Sequence, residues 1–539
     1  MNALLISINA KFIHTNNAVR LLKANSDFPC TIKEFTIKDD IRDIMTIIER
    51  SNASLVGISV YIWNVEMVKK ILNDLNTSIP IVLGGPEVSY DPEYFLSFNH
   101  VSYIIKGEGE IAFNQLLHAL NSQGSFEHIS NISYLSDTGS VHQPIEEIMS
   151  LDTLNPPYYF EEDIHHIPNR IAYIESSRGC PYQCSYCLSS LEKKVRFFNI
   201  ESVKKAIDYY MSHGVKTIKF LDRTFNANKK TLDLIQYIID RDNHQTVFQF
   251  EITGDILDPK LINFIHKHSR KGLFRFEIGI QSLNEKTNAL VNRYQNNQRL
   301  FDNIKRMVKE DIITLHLDLI AGLPEEDKAS FINTFNTVFN LGAKELQCGF
   351  LKLLRGTALR TQASIYGIEY HQTAPYELIK TGVLSEEDIR EIHDVEHMLE
   401  LYHNKGYFKE NMHQILLNKD SVYHFLLEIA SHYNDHNYSL HRYQLDDIYK
   451  RIMPLLTPYE QFLILQDYLM RSTIKPKAFW KNTLDKSQRK SVLEACSVKT
   501  DIPLHLLFKH TRVIHYENMY FVVYYKGNHP ESYVIKKDL

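Results

Sequence analysis

Residues 170–190 read RIAYIESSRGCPYQCSYCLSS, an apolar strand pattern that runs directly into a loop with three cysteines. Cys180, Cys184 and Cys187 are half of the six cysteines in this chain of 539 residues. Chance placement at the spacing C-x3-C-x2-C has odds of roughly one in a thousand. The loop therefore indicates metal binding, and its position after a strand indicates where in the fold the metal lies.

Composition places the chain among globular proteins with several domains. Hydrophobic residues make up 44% and charged residues 23% of the 539 positions, which suggests about three or four domains with buried cores. The net charge of −5 without a Lys/Arg-rich run argues against a protein built mainly to bind nucleic acid. The start, MNALLISINAKF, has too short an apolar run for a signal peptide, and no stretch has the length of a membrane span. We expect a cytoplasmic protein without a membrane partner, in which thiols stay reduced.

The amino-terminal region predicts a doubly wound, Rossmann-like α/β domain. Apolar segments alternate with amphipathic segments such as NVEMVKKILNDL, and the predicted strands are ALLISI, TIKEFTI, LVGISV, PIVLGG and VSYII. Such an alternation implies a parallel sheet, whose ligands bind at the carboxyl ends of the strands. We assign residues 1–140 to this domain, including a hairpin around Asp137-Thr138-Gly139, and residues 141–169 to a linker.

A strand–helix unit recurs six times over residues 170–365. The predicted strands are RIAYIES, GVKTIKFL, TVFQFEI, LFRFEIGI, ITLHLDLI and ELQCGFLKLL. Six units fall short of the eight of a closed barrel, so we predict a partial (β/α)6 TIM-type barrel with its active site where the strands run into the following loops. The cysteine loop follows the first strand, on that rim. Residues 366–539 predict a mostly α-helical carboxy-terminal domain, with a strand pair in VIHYENMYFVVYYKG.

The cysteine spacing bears on which metal is bound. Structural zinc takes four ligands, usually in paired short spacings; His165 or His166 could supply a fourth, but the chain has no second C-x2-C. An iron–sulfur cluster normally takes four thiolates, and three thiolates on a cubane leave one iron open to a substrate. We predict a [4Fe-4S] cluster bound by the three cysteines, with zinc or unligated thiols as the alternatives.

The sequence CPYQCSYC after the first strand of a partial barrel resembles the signature of the radical S-adenosylmethionine (radical SAM) superfamily. In that family the open iron binds the amino and carboxylate groups of S-adenosylmethionine, and an electron from the cluster cleaves the sulfonium to yield a 5′-deoxyadenosyl radical. The resemblance covers residues 170–365. Because Cys30, Cys348 and Cys496 have no near neighbour in the sequence, we predict a single cluster and apolar packing for these three.

The resemblance and the polar residues at the predicted strand ends together suggest a binding site for S-adenosylmethionine. Tyr186 matches the family position near the adenine, and Asp222 matches the segment that binds the methionyl amino group. Strand alternation means that not all of the strand-end acids can face inward, and each acid alone could be a solvated strand-end charge. The candidate residues are Tyr186, Asp222, Asn226, Glu251, Glu277, Gln281, Gly322 and Pro324.

The strand-end loops of the first domain carry glycines next to acids. The G-x-G-x-x-G fingerprint of nucleotide-binding domains is missing after the first strand, and ordinary loop glycines are the alternative. The GGPE and GEGE loops resemble those of the cobalamin-binding domain that precedes the barrel in one class of radical SAM proteins, and the whole chain resembles a subgroup with a helical carboxy-terminal domain of unknown function. The resemblance implies cobalamin contacts from Gly84, Gly85, Pro86, Glu87, Gly107, Glu108, Gly109 and Glu110.

Many cobalamin domains supply a lower axial histidine from a D-x-H-x-x-G motif, which this chain lacks. His14 lies in the corresponding loop with a different spacing, and Tyr61 and Trp63 could pack against the corrin or in an ordinary interface. We therefore expect cobalamin either without a protein histidine on its lower face or with another ligand there.

The resulting functional hypothesis is a cobalamin-dependent radical SAM enzyme. It cleaves S-adenosylmethionine reductively at the cluster and starts a radical methylation or a rearrangement of an unknown substrate. An electron donor such as flavodoxin or ferredoxin is the implied partner. Two alternatives are a transfer-RNA methylthiolase-like radical SAM enzyme, a class with extra cysteines in its first domain, and a non-catalytic corrinoid or redox sensor.

Overall fold

The computed structural model describes residues 1–158, 160, 163–192, 194–408, 411–481, 484–527 and 529–536. The chain divides into two compact units. One unit holds Met1–Thr334 and Cys348–Ile389, and the other holds Phe335–Gln347 and the described residues from Arg390 onward. Within these described ranges, none of the helices has both the length and the apolar character that crossing a bilayer requires.

The first sheet has seven strands in the order β2-β1-β3-β4-β5-β6-β7. The strands are β1 (Ala3–Asn9), β2 (Cys30–Thr36), β3 (Leu55–Ser59), β4 (Ile81–Gly84), β5 (Val101–Ile105), β6 (Ile132–Ser136) and β7 (Gly139–His142). The first five strands pair in parallel, as predicted, and the hairpin β6–β7 pairs antiparallel with β5. The sequence predicted the hairpin but not that it extends this sheet.

Helices cover both faces of the first sheet. They are α1 (Asn17–Ala24), α2 (Ile41–Glu49), α3 (Val65–Asp74), α4 (Pro86–Ser89), α5 (Pro92–Leu96) and α6 (Glu110–Ser122). Strand alternation divides β1 between two cores: Leu4 and Ile6 belong to the core that contains α2 and α3, whereas Leu5 belongs to the core that contains α1 and α6. This division is why β1 is buried along its whole length and reads as a continuous apolar run.

The second sheet contains the six predicted strands in strict chain order, β15-β14-β13-β12-β11-β8. The strands of this region are β8 (Ile171–Ile174), β9 (Ser177–Arg178), β10 (Arg196–Phe197), β11 (Thr217–Phe220), β12 (Val247–Ile252), β13 (Phe274–Gln281), β14 (Thr314–Ala321) and β15 (Glu345–Phe350). Within the six-stranded sheet, β8, β11, β12, β13 and β14 pair in parallel, and β8 and β15 are the two edges. The predicted partial barrel is therefore confirmed.

The helices that follow the barrel strands are α7 (Ile200–Ser212), α8 (Thr231–Asp240), α9 (Pro259–His268), α10 (Glu285–Leu290), α11 (Asn297–Glu310), α12 (Lys328–Phe339) and α13 (Ala358–Thr361). Buried apolar residues alternate with partly exposed polar residues along β12, β13 and β14. One face of the sheet is therefore apolar and the other polar, which leaves the polar face available to a ligand.

The carboxy-terminal part is mostly helical, as predicted. After the short strands β16 (Glu369–Tyr370) and β17 (Leu378–Lys380), its helices are α14 (Glu386–Leu399), α15 (Asn411–Leu417), α16 (Val422–Asp435), α17 (Leu445–Ile452), α18 (Pro458–Arg471), α19 (Lys486–Thr500) and α20 (Leu504–His510). The predicted strand pair is present, with a third strand added, as β18 (Thr511–Tyr516), β19 (Met519–Tyr524) and β20 (Glu531–Lys536). The domain boundaries at 140, 169 and 365 stay predictions.

The turn after β4 generates a first testable prediction. Gly85 has φ +115°, and a Cβ added there would lie 2.4 Å from the carbonyl oxygen of Val60. We expect Gly85→Ala to lower the free energy of unfolding by about 3 kcal/mol or more, because backbone strain is combined with a backbone clash. The matched control is Gly139→Ala, where φ is +121° and nothing lies within 4 Å of the added Cβ. Urea unfolding should show that the control lowers the free energy of unfolding by about 1–2 kcal/mol. An equal decrease for both variants would contradict the role of the Val60 contact.

Candidate functional site

The three cysteines lie at the carboxyl edge of the barrel sheet. They follow β8 and the two-residue strand β9, which pairs antiparallel with β10. Cys184 is buried, and Cys180 and Cys187 are half-buried. The Cys180 Sγ lies 3.7 Å from the Oγ1 of Thr224, which belongs to the loop after the neighbouring strand β11. Burial raises the pKa of the Cys180 thiol, so a thiolate at this position needs a cation or metal to stabilise it.

Asp222 fixes the entry into the cysteine loop. Its carboxylate, which is 1% exposed, accepts hydrogen bonds from the backbone N of Ser176 at 2.9 Å, the Oγ of Ser176 at 2.5 Å and the Oγ of Ser177 at 2.6 Å. Burial raises the pKa of Asp222 to about 6. The predicted role of Asp222 in binding an ammonium group stays a prediction, because the structure shows its oxygens engaged by the serines.

The structure adds Arg293, which the sequence reasoning missed. Its Nη1 lies 4.0 Å from the Sγ of Cys184, and its Nη2 donates a hydrogen bond to the carbonyl oxygen of Gly279. Burial raises the pKa of Tyr186, while the nearby Arg293 opposes that rise. Arg293 lies in the loop after α10, away from any strand end, so the pattern of strands gave no signal for it.

Two predicted acids share the polar face of the barrel sheet. Glu251 on β12 is the parallel partner of Glu277 on β13, and both alternate with buried apolar residues. The carboxylate of Glu277 lies 2.8 Å from the Nζ of Lys219 and also accepts from Gln249. The Oε2 of Glu251 lies 3.6 Å from the Nη1 of Arg223. The structure thus brings these two acids together, each beside a cation of the protein.

The remaining predicted strand-end residues differ in whether their polar atoms have hydrogen-bond partners in the protein. Asn226 exchanges two hydrogen bonds with the backbone of Thr253, at 2.8 and 3.0 Å. The carbonyl oxygen of Pro324 accepts from the Oγ1 of Thr287 at 2.9 Å. In contrast, the Oε1 of Gln281 is buried and has no hydrogen-bond partner among the described residues. A buried amide oxygen without a donor is a feature that a bound polar ligand would complete.

Glu326 is a second residue that the sequence reasoning did not single out. It follows Pro324 in the loop after β14 and is fully buried. Its Oε1 accepts hydrogen bonds from the Oγ of Ser282 at 2.6 Å and the Oγ1 of Thr334 at 3.2 Å. Burial raises the pKa of Glu326 to about 7, although the hydroxyl donors oppose that rise.

The donor set fits an iron–sulfur cluster better than a single metal ion. Among the described residues, no three His, Cys, Asp or Glu side chains are close enough to hold one ion. A zinc site brings its sulfur ligands to about 2.3 Å from one point, whereas a cubane separates its thiolates. His165 and His166, the alternative fourth ligands, are both exposed. Three thiolates in one loop therefore fit a cluster with one iron left for another ligand.

An aromatic pair and a glycine turn lie at the carboxyl edge of the first sheet. The rings of Tyr61 and Trp63 stack at 4.4 Å with an interplanar angle of 6°, and Trp63 is 44% exposed. Val60, in the same loop, contacts the Gly85 turn. Trp63 thus presents a partly exposed ring at this edge, whereas Val60 covers the Gly85 turn. His14, in the neighbouring loop, instead hydrogen-bonds through Nδ1 to the hydroxyl of Tyr173 at 2.7 Å.

The predicted cobalamin loops place their glutamates against other parts of the protein. Glu87 accepts from the hydroxyl of Tyr376 at 2.6 Å, and Glu108 and Glu110 form ion pairs with Arg178 at 3.0 and 2.6 Å. The role of the eight loop residues in binding cobalamin stays a prediction; the structure assigns protein partners to the three carboxylates among them.

Three family models match the chain in succession. Residues 6–117 match the B12 binding domain, residues 174–338 match the Radical SAM superfamily, and residues 364–525 match a protein family of unknown function, DUF4080. The order of the matches agrees with the predicted order of first domain, barrel and helical tail.

Curated relatives and solved structures are also similar to this chain. The uncharacterized methyltransferase PH0819 of Pyrococcus horikoshii is 31% identical over 204 residues, which cover 35% of this chain and 43% of that protein. The cobalamin-dependent radical SAM methyltransferase TokK of Streptomyces tokunonensis is 23% identical over 346 residues, which cover 58% of this chain and 49% of that protein. The chain thus spans less than half the length of these relatives. The cobalamin-dependent S-adenosylmethionine radical enzyme OxsB with aqua-cobalamin bound aligns with a TM-score of 0.62 at 14% identity over 87% of this chain and 78% of that chain, which shows a shared fold.

Arg293 should tune the reduction potential of the predicted cluster. A guanidinium beside a thiolate ligand stabilises the reduced, more negative cluster, so Arg293→Gln should lower the potential by roughly 50–100 mV. Arg293→Lys, which keeps the charge, should recover part of the shift. Redox titration followed by electron paramagnetic resonance (EPR) measures the potential, with the exposed Arg299→Gln as the control for charge alone. An unchanged potential in Arg293→Gln would contradict this role.

Glu326 should make the stability of the protein depend on pH. A carboxyl whose pKa rises on folding from 4.5 to about 7 gives stability that is fully present below pH 4.5 and is lost as the pH rises through 7. Between pH 5 and pH 8 the free energy of unfolding of the wild type should fall by up to about 3 kcal/mol on account of Glu326, and Glu326→Gln should not show this fall. The neighbouring Glu325→Gln, at a side chain that is 39% exposed, is the control. Urea unfolding at several pH values measures both, and identical pH profiles for Glu326→Gln and wild type would rule the effect out.

Proposed function

We propose that the chain, whose residues 174–338 match the Radical SAM superfamily and whose residues 6–117 match the B12 binding domain, is a radical SAM enzyme that uses a [4Fe-4S] cluster, S-adenosylmethionine and cobalamin to methylate or rearrange a substrate still to be identified. The observation that carries the proposal is the set of three cysteines at the carboxyl edge of the first barrel strand. When bound, the cluster and S-adenosylmethionine would supply one-electron cleavage of a sulfonium, and cobalamin would supply a corrinoid for group transfer.

Cys180, Cys184 and Cys187 would hold the cluster. Their loop supplies three thiolates, and the half-buried positions of Cys180 and Cys187 leave room for a bulky inorganic group beside the chain. Arg293 lies on the Cys184 side, where its positive charge offsets the negative charge that thiolates and an added electron bring to a buried site.

The loops that follow β8, β11, β13 and β14 would bind S-adenosylmethionine. Gln281 supports this proposal most directly, because its buried Oε1 still lacks a hydrogen-bond donor among the described residues. Tyr186 lies within the cysteine loop and Arg293 beside it, where a polar cosubstrate would meet the open iron. We also propose contacts to S-adenosylmethionine from Glu251, from Glu277 and from the turn between Gly322 and Pro324.

The first domain would hold cobalamin at the carboxyl edge of its sheet. The Gly85 turn packs against the backbone of Val60 at this edge, and the stacked rings of Tyr61 and Trp63 beside it offer a flat apolar surface. A one-electron donor such as flavodoxin or ferredoxin would reduce the cluster. All six cysteines lie in the described ranges and none of them is part of a disulfide, which fits a reducing, cytoplasmic location.

The methylthiolase alternative has less support from the structure. Enzymes of that kind carry additional cysteines for a second cluster. Here Cys30 lies on β2, Cys348 on β15 and Cys496 on α19, and all three are buried. The sensor alternative makes a different prediction, namely corrinoid binding without cleavage of S-adenosylmethionine.

An anaerobic cleavage assay tests the proposed function. After cluster reconstitution and reduction, the wild-type chain should form 5′-deoxyadenosine from S-adenosylmethionine, and Cys184→Ala should reduce the rate to below about 1% because a cluster ligand is lost. Cys496→Ala, which removes a buried thiol of the second unit, is the matched control and should keep the activity. No 5′-deoxyadenosine from the wild type would remove the enzyme proposal and favour the sensor. S-adenosylhomocysteine as a second product would select methylation over rearrangement.

A further inference from the structure

The acids of the GGPE and GEGE loops contact the two edges of the barrel. We propose that Glu87, Glu108 and Glu110 dock the first domain onto the barrel and thereby fix the distance between the corrin-binding edge and the cysteine loop. The docking itself stands independently of the catalytic activity, whereas its consequence for cobalamin rests on the proposed function.

The first docking contact joins the loop after β5 to the cysteine loop. Arg178, two residues before Cys180, pairs with the Oε1 of Glu108 at 3.0 Å and the Oε1 of Glu110 at 2.6 Å. The three side chains are only 10%, 14% and 6% exposed. Arg196 on β10 adds a second guanidinium, 2.8 Å from the Oε2 of Glu108. Both strands at the root of the cysteine loop, β9 and β10, are thus held by the first domain.

Carboxylates outnumber guanidinium groups in this contact. Glu175, on the barrel side, also pairs with Arg178 at 2.9 Å. Burial opposes the charge on Arg178, but Glu175 and Glu110 outweigh it and the pKa of the guanidinium is raised. Burial likewise opposes the charge on Glu108, but hydrogen bonds from Arg196 and from the backbone N of Ile148 hold its pKa below the usual value. A buried pair of this kind destabilises strongly when one partner is removed, because the other charge stays buried.

The second docking contact joins the loop after β4 to the segment after β15. The hydroxyl of Tyr376 donates to the Oε2 of Glu87 at 2.6 Å, and the Nε of Arg355 donates to the same hydroxyl at 3.0 Å. Arg355 also pairs with Asp91. Glu87 is 3% exposed, so a cofactor would reach its carboxylate only by displacing Tyr376.

The topology gives the two contacts their positioning effect. Strands β4 and β5 are neighbours in the first sheet, so their loops lie side by side. Strands β8 and β15 are the two edges of the barrel sheet, and each contact engages the segment that follows one of them. Two adjacent loops of one domain therefore bind both sides of the open barrel, which fixes the orientation of that domain at two points rather than one.

Conservative variants separate docking from cofactor contact. Glu108→Gln with Glu110→Gln removes the charges of one contact, and Tyr376→Phe removes the hydroxyl of the other. The matched control for the latter is Tyr468→Phe, which breaks a comparable bond to Asp446 of 2.8 Å in the second unit. Each variant is studied as the full chain, reconstituted with the cluster and hydroxocobalamin.

Hydrogen exchange and corrinoid binding give the decisive readouts. Docking predicts that amide exchange in residues 174–182 rises about tenfold or more in the double variant, and in residues 352–362 in Tyr376→Phe, with no rise in the control. It also predicts that the dissociation constant for hydroxocobalamin stays within about twofold of wild type. A corrinoid affinity that falls about tenfold with unchanged exchange would overturn the proposal in favour of direct cofactor contact.

A spectroscopic distance tests the positioning effect. In the reduced wild-type chain, the magnetic coupling between cob(II)alamin and the cluster should give one narrow distance by pulsed EPR, and the docking variants should broaden it at unchanged iron and corrinoid content. An unchanged distance distribution in both variants would overturn the positioning role. If the wild type binds no corrinoid, the proposed use of cobalamin fails, and the exchange measurement still decides whether the domain is docked by these residues.

Discussion

Ser176, Ser177 and Arg178 hold the entry into the cysteine loop. The buried carboxylate of Asp222 accepts three hydrogen bonds from the two serines, and glutamates of the first domain pair with Arg178. The serines of this segment are thus fixed by the loop after the neighbouring barrel strand β11, and the arginine is fixed by a different domain. The position of a cluster bound by Cys180 would therefore depend on contacts with the barrel and on contacts with the first domain.

The barrel sheet reverses the usual arrangement of a closed TIM barrel, whose interior is packed with branched apolar side chains. Here the apolar residues of β12, β13 and β14 form one face, and the other carries paired charges such as Lys219–Glu277 and Arg223–Glu251. Because each of these carboxylates lies beside a cation of the protein, its charge is compensated when no ligand is bound. Six strands rather than eight leave that polar face open, which suits an enzyme that must admit a cosubstrate and a substrate.

The sequence was most informative where a short-range pattern determines the structure. Strand–helix alternation predicted both sheets, and the cysteine spacing with its position after the first strand identified the domain class. Arg293 was missed because it lies in a loop after α10 and reaches Cys184 only through the tertiary fold. The partners of Glu87, Glu108 and Glu110 were likewise not predictable, because a sequence shows which residues occupy a loop but not which tyrosine or arginine of a distant segment contacts them. The extension of the first sheet by β6 and β7 was likewise invisible, since it depends on long-range pairing.

The central claim is that three thiolates hold a four-iron cluster with one iron free for S-adenosylmethionine. Mössbauer spectroscopy of the anaerobic, iron-57-labelled chain tests it most directly. The account predicts one cluster per chain in which a single iron changes its spectrum when S-adenosylmethionine is added. A bound zinc ion, or a cluster in which no iron responds to S-adenosylmethionine, would contradict it.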